Sequence, residues 1–477
     1  MAELRRWRLD ATSPYMLHLA ADARLARTDY VDDQVWELVP SGVDAPALML
    51  RTRYGGRVQN ASIQPVWQYE GREIYIHQAY ASPPVVTGFA PGFARAEAEI
   101  LPELTLTAEY WIMESRAAGA RYTLTNSGSA PVVLRLELQT QITWQHRTVQ
   151  PALITLADGG VALSSGRMPG LEPVIALETA AAGETRLGAA VEIPPGETVS
   201  IRWACAGLGS MAGSLDRAQY WLGQDWDAAF AQIAEAARAI PQIETGDSAV
   251  DATIAFAYQQ LVQSFLRPAT HLPDASFVAN RRSERGYSRR GDGVDHDRSW
   301  SGQPPQLSYL AALAVAPIEP HWAHGVIRNF LSVQAEDGTI DARPGMAGQR
   351  QGLLCPPVLA RLAWNIYQYT EDITFLEAVF PGLVRFINRW SLTDVDTDMD
   401  VMPEYQDERQ TGYIFWPTFG TRQAWAQNAE IRQFETPDMI AYILSELTSL
   451  AEMGRTLQNP GAYELLNRVT DMQRFLE

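Results

Sequence analysis

The spacing of apolar positions changes near residue 225. Before it, short runs rich in β-branched and aromatic residues recur at 35–39, 47–54, 73–79, 120–125, 132–142 and 199–206. Turn clusters such as TNSGSAP, LADGG and IPPGE lie between them, which predicts strands joined by tight loops. RYTLTNSGSAPVVLRLELQTQITW reads as a hairpin, and IPPGETVSIRWACAG as the closing strand of a sandwich. Many short strands with regular turns predict an antiparallel β-sandwich.

After residue 225 the period lengthens. WDAAFAQIAEAARAI has helical spacing and is broken by PQIETGD, so 226–247 reads as a linker helix. From 248 onward, apolar residues three and four apart predict helices at 248–267, 304–316, 320–335, 356–371, 373–391 (interrupted at Pro381-Gly382), 437–454 and 460–476. Thr436 is placed to cap the penultimate helix, with Pro437 at its first position and Asp438 near its positive end. The expected organisation is a β-sandwich domain at 1–225, the linker helix at 226–247, and a helical domain at 248–477.

Composition narrows the chemistry. The formal net charge is −18, and all 38 basic residues are arginine. The charge disfavours nucleic acid and acidic membranes as partners. The lack of lysine excludes lysine Schiff-base and Walker-type chemistry. Two cysteines, Cys205 and Cys355, give no disulfide framework or cysteine-rich metal site. There is no apolar core of signal-peptide length near the start and no apolar run long enough to cross a membrane. The expected location is the cytoplasm.

Candidate chemistry lies in three long polar loops, 268–303, 336–355 and 392–436. The first holds Asp292, Asp295, Asp297, Arg298 and Trp300. Carboxylates and arginines bind sugar hydroxyls, and aromatic faces pack on sugar C–H surfaces. A solvated arginine-rich connector has the same composition. Asp295-His296-Asp297 lacks the spacing of a metal site. In the third loop, Asp394, Asp396, Asp398 and Asp400 alternate like a calcium loop, yet Met399 stands where an EF-hand needs glycine and Tyr405 where it needs glutamate. That leaves a weak calcium site or an exposed acidic turn. No metal or cofactor is assigned. His321 and His324, three apart on a helix, read as packing or surface residues. The third loop continues as PEYQDERQTGYIFWP, residues 403–417, where acids and aromatics crowd together.

The order of HWAHGVIRNFLSVQAEDGTIDARPG, LLCPPVLARLAWNIYQYTEDITFLEAVFPGLVRFINRW and FETPDMIAYILSELTSLAEM resembles the six-hairpin (α/α) toroid glycosidases. The closest group is that of the processing α-glucosidases, mannosylglycerate hydrolases and glycogen-debranching-like proteins. The resemblance covers roughly 248–477 and, more loosely, the sandwich before it. It implies an inverting hydrolase of α-linked glycosides, with one carboxylic acid protonating the leaving oxygen and a carboxylate activating water. It also implies an acid in the loop before the helix that starts at Asp438. With Gly412 and Pro417 in register with the family motif, Ile414 occupies the acid's place, and Asp407 or Glu408 could stand in. Asp297, Arg298, Trp300, Gln410, Tyr413 and Trp416 are the expected sugar-binding residues.

A complete toroid of this family has twelve helices, and about seven are legible after residue 247. The toroid is therefore expected to be incomplete: part of a longer polypeptide, closed by a partner such as a second copy, or a specialised half. The expected ligand is a carbohydrate or a glycosylated small molecule. The competing readings are a catalytically degenerate carbohydrate-binding or scaffold protein, and a lyase or phosphorylase on the same scaffold.

Overall fold

The computed structural model describes residues 4–10, 12–13, 16–38, 45–157, 159–181, 186–297, 299–300, 302–345, 348, 352–411, 431–433 and 435–476. The chain forms two compact units. One comprises Met1–Leu266 and Asn280–His296; the other comprises Arg267–Ala279 and Asp297–Glu477.

The first unit holds two eight-stranded antiparallel sheets. Leu17–Leu19, Trp36–Leu38, Leu50–Thr52, Asn60–Tyr69, Val132–Trp144 and Arg147–Val149 follow one another across the first sheet. Leu187–Ile193 and Arg72–Ile74 pair alongside them. The second sheet runs Ala152–Thr155, Gly160–Ser164, Val174–Ala181, Thr198–Ala206, Ala117–Asn126, Leu104–Glu114, Phe93–Leu101 and Ser82–Ala90. One apolar core joins them, with Trp36, Leu50 and Trp67 from the first sheet and Leu106, Tyr110 and Tyr122 from the second. Trp67 and Tyr122 meet edge to face at 5.6 Å, and the buried Tyr110 hydroxyl donates to Leu48 O at 2.7 Å. A buried phenol needs such an acceptor.

Three expectations are corrected here. The segments on either side of TNSGSAP do not form a hairpin. Ala117–Asn126 pairs within the second sheet and Val132–Trp144 within the first, so this turn carries the chain from one sheet to the other. Asn126 fixes the crossing, donating through its amide to Ala130 O and Ile193 O. The helix expected as a linker is instead packed on the outside of the second sheet. Helix α1 (Met211–Leu222) and helix α2 (Trp226–Arg238) both lie there. Trp226 of α2 is buried edge-on to Trp111 at 4.8 Å, and Phe230 lies against Phe93. Gly119 makes room, because a Cβ there would meet Trp226 at 3.0 Å and Trp203 O at 2.6 Å. Helix α3 (Ser248–Gln263) also belongs to this unit. Its Phe256 stacks on Phe89, and Gln263 accepts from the backbone N–H groups of Ala20 and Gly92. The helical unit thus starts at Arg267 rather than 248.

The second unit is built from helical hairpins. Among the described residues its helices are α4 (Pro305–Val315), α5 (Pro320–Ser332), α6 (Leu359–Thr370), α7 (Ile373–Arg389), α8 (Pro437–Thr456) and α9 (Ala462–Leu476). Six of the seven helices expected after 247 are these. The expected break at Pro381-Gly382 is absent: α7 runs through Pro381. Gly382 lets Leu331 of the neighbouring α5 come within 3.0 Å of where a Cβ would stand, and Gln334 donates to its carbonyl. Thr436 occupies the N-cap of α8 with Pro437 following, but its hydroxyl makes no capping hydrogen bond.

Candidate functional site

Short connections link α4 to α5, α6 to α7 and α8 to α9; the long loops enter α4, α6 and α8. Alternating short and long connections between antiparallel helices put all the long loops at one end of the unit. α6 packs against both α4 and α8, and the first turns of α4 and α6 face the middle of α8. A cavity of about 380 Å³ opens among them. Gln306, Tyr309, Arg361, Tyr442 and Glu446 contribute its polar groups.

Glu446 organises this end. It is fully buried on α8 and reaches across to the first turn of α6, accepting from Ala360 N at 2.8 Å and Arg361 N at 2.7 Å. A carboxylate there satisfies two orphan donors and the positive helix end. Burial nonetheless raises its pKa to about 7, outweighing the backbone hydrogen bonds that lower it. Tyr309 accepts from the Asn365 amide at 2.7 Å, and Arg361 is exposed.

The third loop reaches this end through Gln410. Its carbonyl accepts from Gln306 Nε2 at 3.2 Å. Its side-chain oxygen accepts from Gln406 N and Asp407 N, and its amide donates to Leu354 O. With its amide so occupied and almost no exposed surface, Gln410 braces the loop; it is not free to bind a sugar as expected. The brace holds a single 3₁₀ turn, Glu408–Thr411. On this turn Arg409 grips both oxygens of Asp407 at 2.7 Å. Glu408 is half-buried, and its pKa is raised first by burial and then by the negative charge of Asp407. The two candidate acids are therefore unequal: Asp407 is occupied by a guanidinium, whereas Glu408 is biased toward its protonated form.

The first loop is divided between the units. Asp292 and Asp295 belong to the sheet unit, where Asp295 accepts from Ser288 Oγ and Arg289 N. Asp297 belongs to the helical unit; it is exposed and accepts from Ser299 N and Ser299 Oγ. Trp300, expected as a sugar platform, is completely buried and presents no open ring face. Arg298, Tyr413, Ile414 and Trp416 lie outside the described residues. Further along the third loop, the carboxylates of Asp396, Asp398 and Asp400 come within 4.8 Å of one another. Asp396 already accepts from Asp400 N and Val401 N. His324 stacks on Phe375 at 4.0 Å, while His321 is exposed beside Glu319.

The sequence reading passed over Glu446, Gln306, Tyr309, Arg361 and Tyr442. Glu446 had a legible signal: it is a charge among Ile443, Leu447 and Leu450, the positions that form the buried stripe of α8. The others look like ordinary helix-surface residues until the helices are assembled.

No protein-family model and no curated protein matches this sequence. Among solved structures, a bacterial glucoamylase complexed with acarbose aligns over 99% of this chain and 70% of its own, at 10% identity and a TM-score of 0.48. An α-mannosidase from Bacteroides thetaiotaomicron aligns over 98% and 62%, at 8% identity and a TM-score of 0.35. A galactose mutarotase related enzyme from Lactobacillus acidophilus aligns over 40% of this chain and 97% of its own, at 4% identity and a TM-score of 0.24. Likeness at this level concerns architecture and assigns no residue a role. The class of fold is a double-sheet unit followed by helical hairpins, and among the described residues no helix is long and apolar enough to cross a membrane.

Proposed function

We propose that this protein is a carbohydrate-active protein of the glycoside hydrolase kind, acting on an α-linked glycoside or oligosaccharide with Glu408 as general acid. One observation carries the choice of residue. Glu408 is half-buried on a turn braced by Gln410, beside an Asp407 occupied by Arg409, and its pKa is raised. Of the two carboxyls, the one whose pKa is raised is the better suited to protonate a leaving oxygen. The cavity among α4, α6 and α8 and the resemblance to six-hairpin glycosidases support a sugar as the ligand.

The test is sugar release by the purified chain from α- and β-linked disaccharides and aryl glycosides. Glu408→Gln is expected to cut turnover about 10²–10⁴-fold, and Asp407→Asn less. Unchanged turnover in Glu408→Gln would rule out this role. Release that requires phosphate would point to a phosphorylase instead.

A second reading, carbohydrate binding without turnover, rests on a specific observation. Asp407 and Glu408 are neighbours on one turn, whereas inverting hydrolysis uses carboxyl groups roughly 6.5–9.5 Å apart across the scissile bond. Sugar-induced stabilisation with no product release would favour it.

A further inference from the structure

We propose that the cavity among α4, α6 and α8 takes a glycoside that carries an acid group, and that Arg361 is the side chain that selects it. This deepens the functional reading above and rests on it.

Charge is spread unevenly over the cavity wall. Arg361 lies in the first turn of α6, is exposed and lines the cavity. Its backbone N–H donates to Glu446, but its guanidinium forms no hydrogen bond or ion pair with a described residue. Arg328, Arg389 and Arg409 of the same unit each hold a carboxylate. Glu446 is the one acid among the residues of the wall, and it is not a free counter-charge. It has no exposed surface, and both its oxygens already accept from first-turn N–H groups of α6. Among the influences that lower its pKa, the charge of Arg361 ranks behind three backbone hydrogen bonds. The cavity thus shows a ligand a positive charge and no accessible negative one. Because Glu446 also satisfies the positive end of α6, an anion would be held by the Arg361 side chain and not by the helix end.

The rest of the wall is within a ligand's reach and suits a sugar. Gln306, Tyr309 and Tyr442 are half-buried, and Leu310 is 63% exposed. The Tyr309 hydroxyl accepts from Asn365 and keeps its own proton to donate. Amide and hydroxyl groups match sugar hydroxyls, and Leu310 offers an apolar surface to ring C–H groups. A guanidinium grips a carboxylate through two parallel N–H donors. A neutral glycoside would leave Arg361 unused, and a cation would meet it as a like charge.

The test compares glycosides that differ in one group. For an acid on the sugar, the p-nitrophenyl α-glycosides of glucuronic and mannuronic acid are set against those of glucose and mannose. For an acid on the leaving group, p-carboxyphenyl α-glucoside and α-mannoside are set against the p-carbamoylphenyl compounds. kcat/KM is measured for the native chain, Arg361→Gln and Arg361→Lys, and affinity by calorimetry in the Glu408→Gln chain. The acidic member of at least one pair should be preferred about tenfold, as one hydrogen bond between charged groups allows. Arg361→Gln should erase that preference through KM, and Arg361→Lys should restore part of it. Equal kcat/KM for acidic and neutral members, or a preference that survives Arg361→Gln, overturns the proposal and leaves the hydrolase reading standing. Binding of acidic members that depends on Arg361, with no release from any glycoside, overturns the hydrolase reading and keeps the acid site. Release that requires inorganic phosphate, with the requirement lost in Arg361→Gln, makes phosphate the anion at Arg361 and overturns the acidic substrate. No binding and no release with any member overturns both.

Discussion

Two charged segments look alike in sequence and behave oppositely in the fold. The segment Asn280–His296 and the turn at 406–411 are both dense in arginine and acid. In the first, Arg281 is buried against Asp33, donating to both carboxylate oxygens at 2.7 and 2.8 Å and to the carbonyls of Ala21 and Gln263. Its partners lie far away in sequence, and Ser283 O and Gly286 O accept from Gly55 N and Asp33 N nearby. In the second, Arg409 pairs with Asp407 two residues away, half in solvent. The first segment is a strap on the sheet unit; the second is a local turn presenting an acid. Composition does not separate a strap from a site. The sequence distance and burial of the partner do.

The comparison can be tested at its strongest point first. Arg281→Ala leaves Asp33 buried without its cation, and should destabilise the first unit by about 3–5 kcal/mol in chemical denaturation. A loss under about 1 kcal/mol would make the strap no more than another surface loop. Gln410→Ala comes next. It strands the backbone N–H groups of Gln406 and Asp407 and the carbonyl of Leu354, and should cost about 1–3 kcal/mol. It should also lower turnover, because the turn carrying Glu408 loses its brace. Normal stability together with normal turnover would show that the turn holds itself.

The third effect concerns pH and is smallest per unit of the variable changed. The pKa of Glu446 is raised by burial to about 7, so the folded chain holds this proton more tightly than the unfolded chain, where the ordinary value is near 4.5. Its stabilising contribution is complete below the unfolded value and is lost as pH rises from there to about 7. Comparing native chain and Glu446→Gln across that window should show the native chain losing at most about 1.4 kcal/mol per pH unit relative to the variant. Parallel pH profiles would mean that the two backbone N–H groups hold Glu446 charged throughout.

The helices were more legible than the strands, for a physical reason. α6, α7 and α8 carry full-sized apolar residues at helical spacing, and their ends fall within a few residues of the expected ones. Phe93–Leu101 and Leu104–Glu114 were not anticipated. FARAEAEIL does alternate buried and half-buried positions, but its inward residues are mostly alanine, which carries little hydrophobic signal. The crossing at TNSGSAP was misread because a turn between two strands looks the same whether they pair or part. Asn126 decides it through Ile193, a residue of another strand. Of the candidate site, the acids were visible as a cluster, but their inequality was not. It follows from the grip of Arg409 on one and the burial of the other.

The sequence by itself determined the two kinds of structure, their order, the lengths of most helices, the absence of lysine chemistry and the segment in which an acid could lie. Those properties depend on side-chain type and local spacing, which a single chain displays directly. Only the tertiary structure decided that α1, α2 and α3 pack with the sheets, that Asn280–His296 is a strap and that Trp300 is buried. It also decided that Gln410 is a brace and that Glu446 joins two helices. Each of these depends on a partner distant in the chain, and hydrogen-bond reach and burial exist only once folding has brought the partners together.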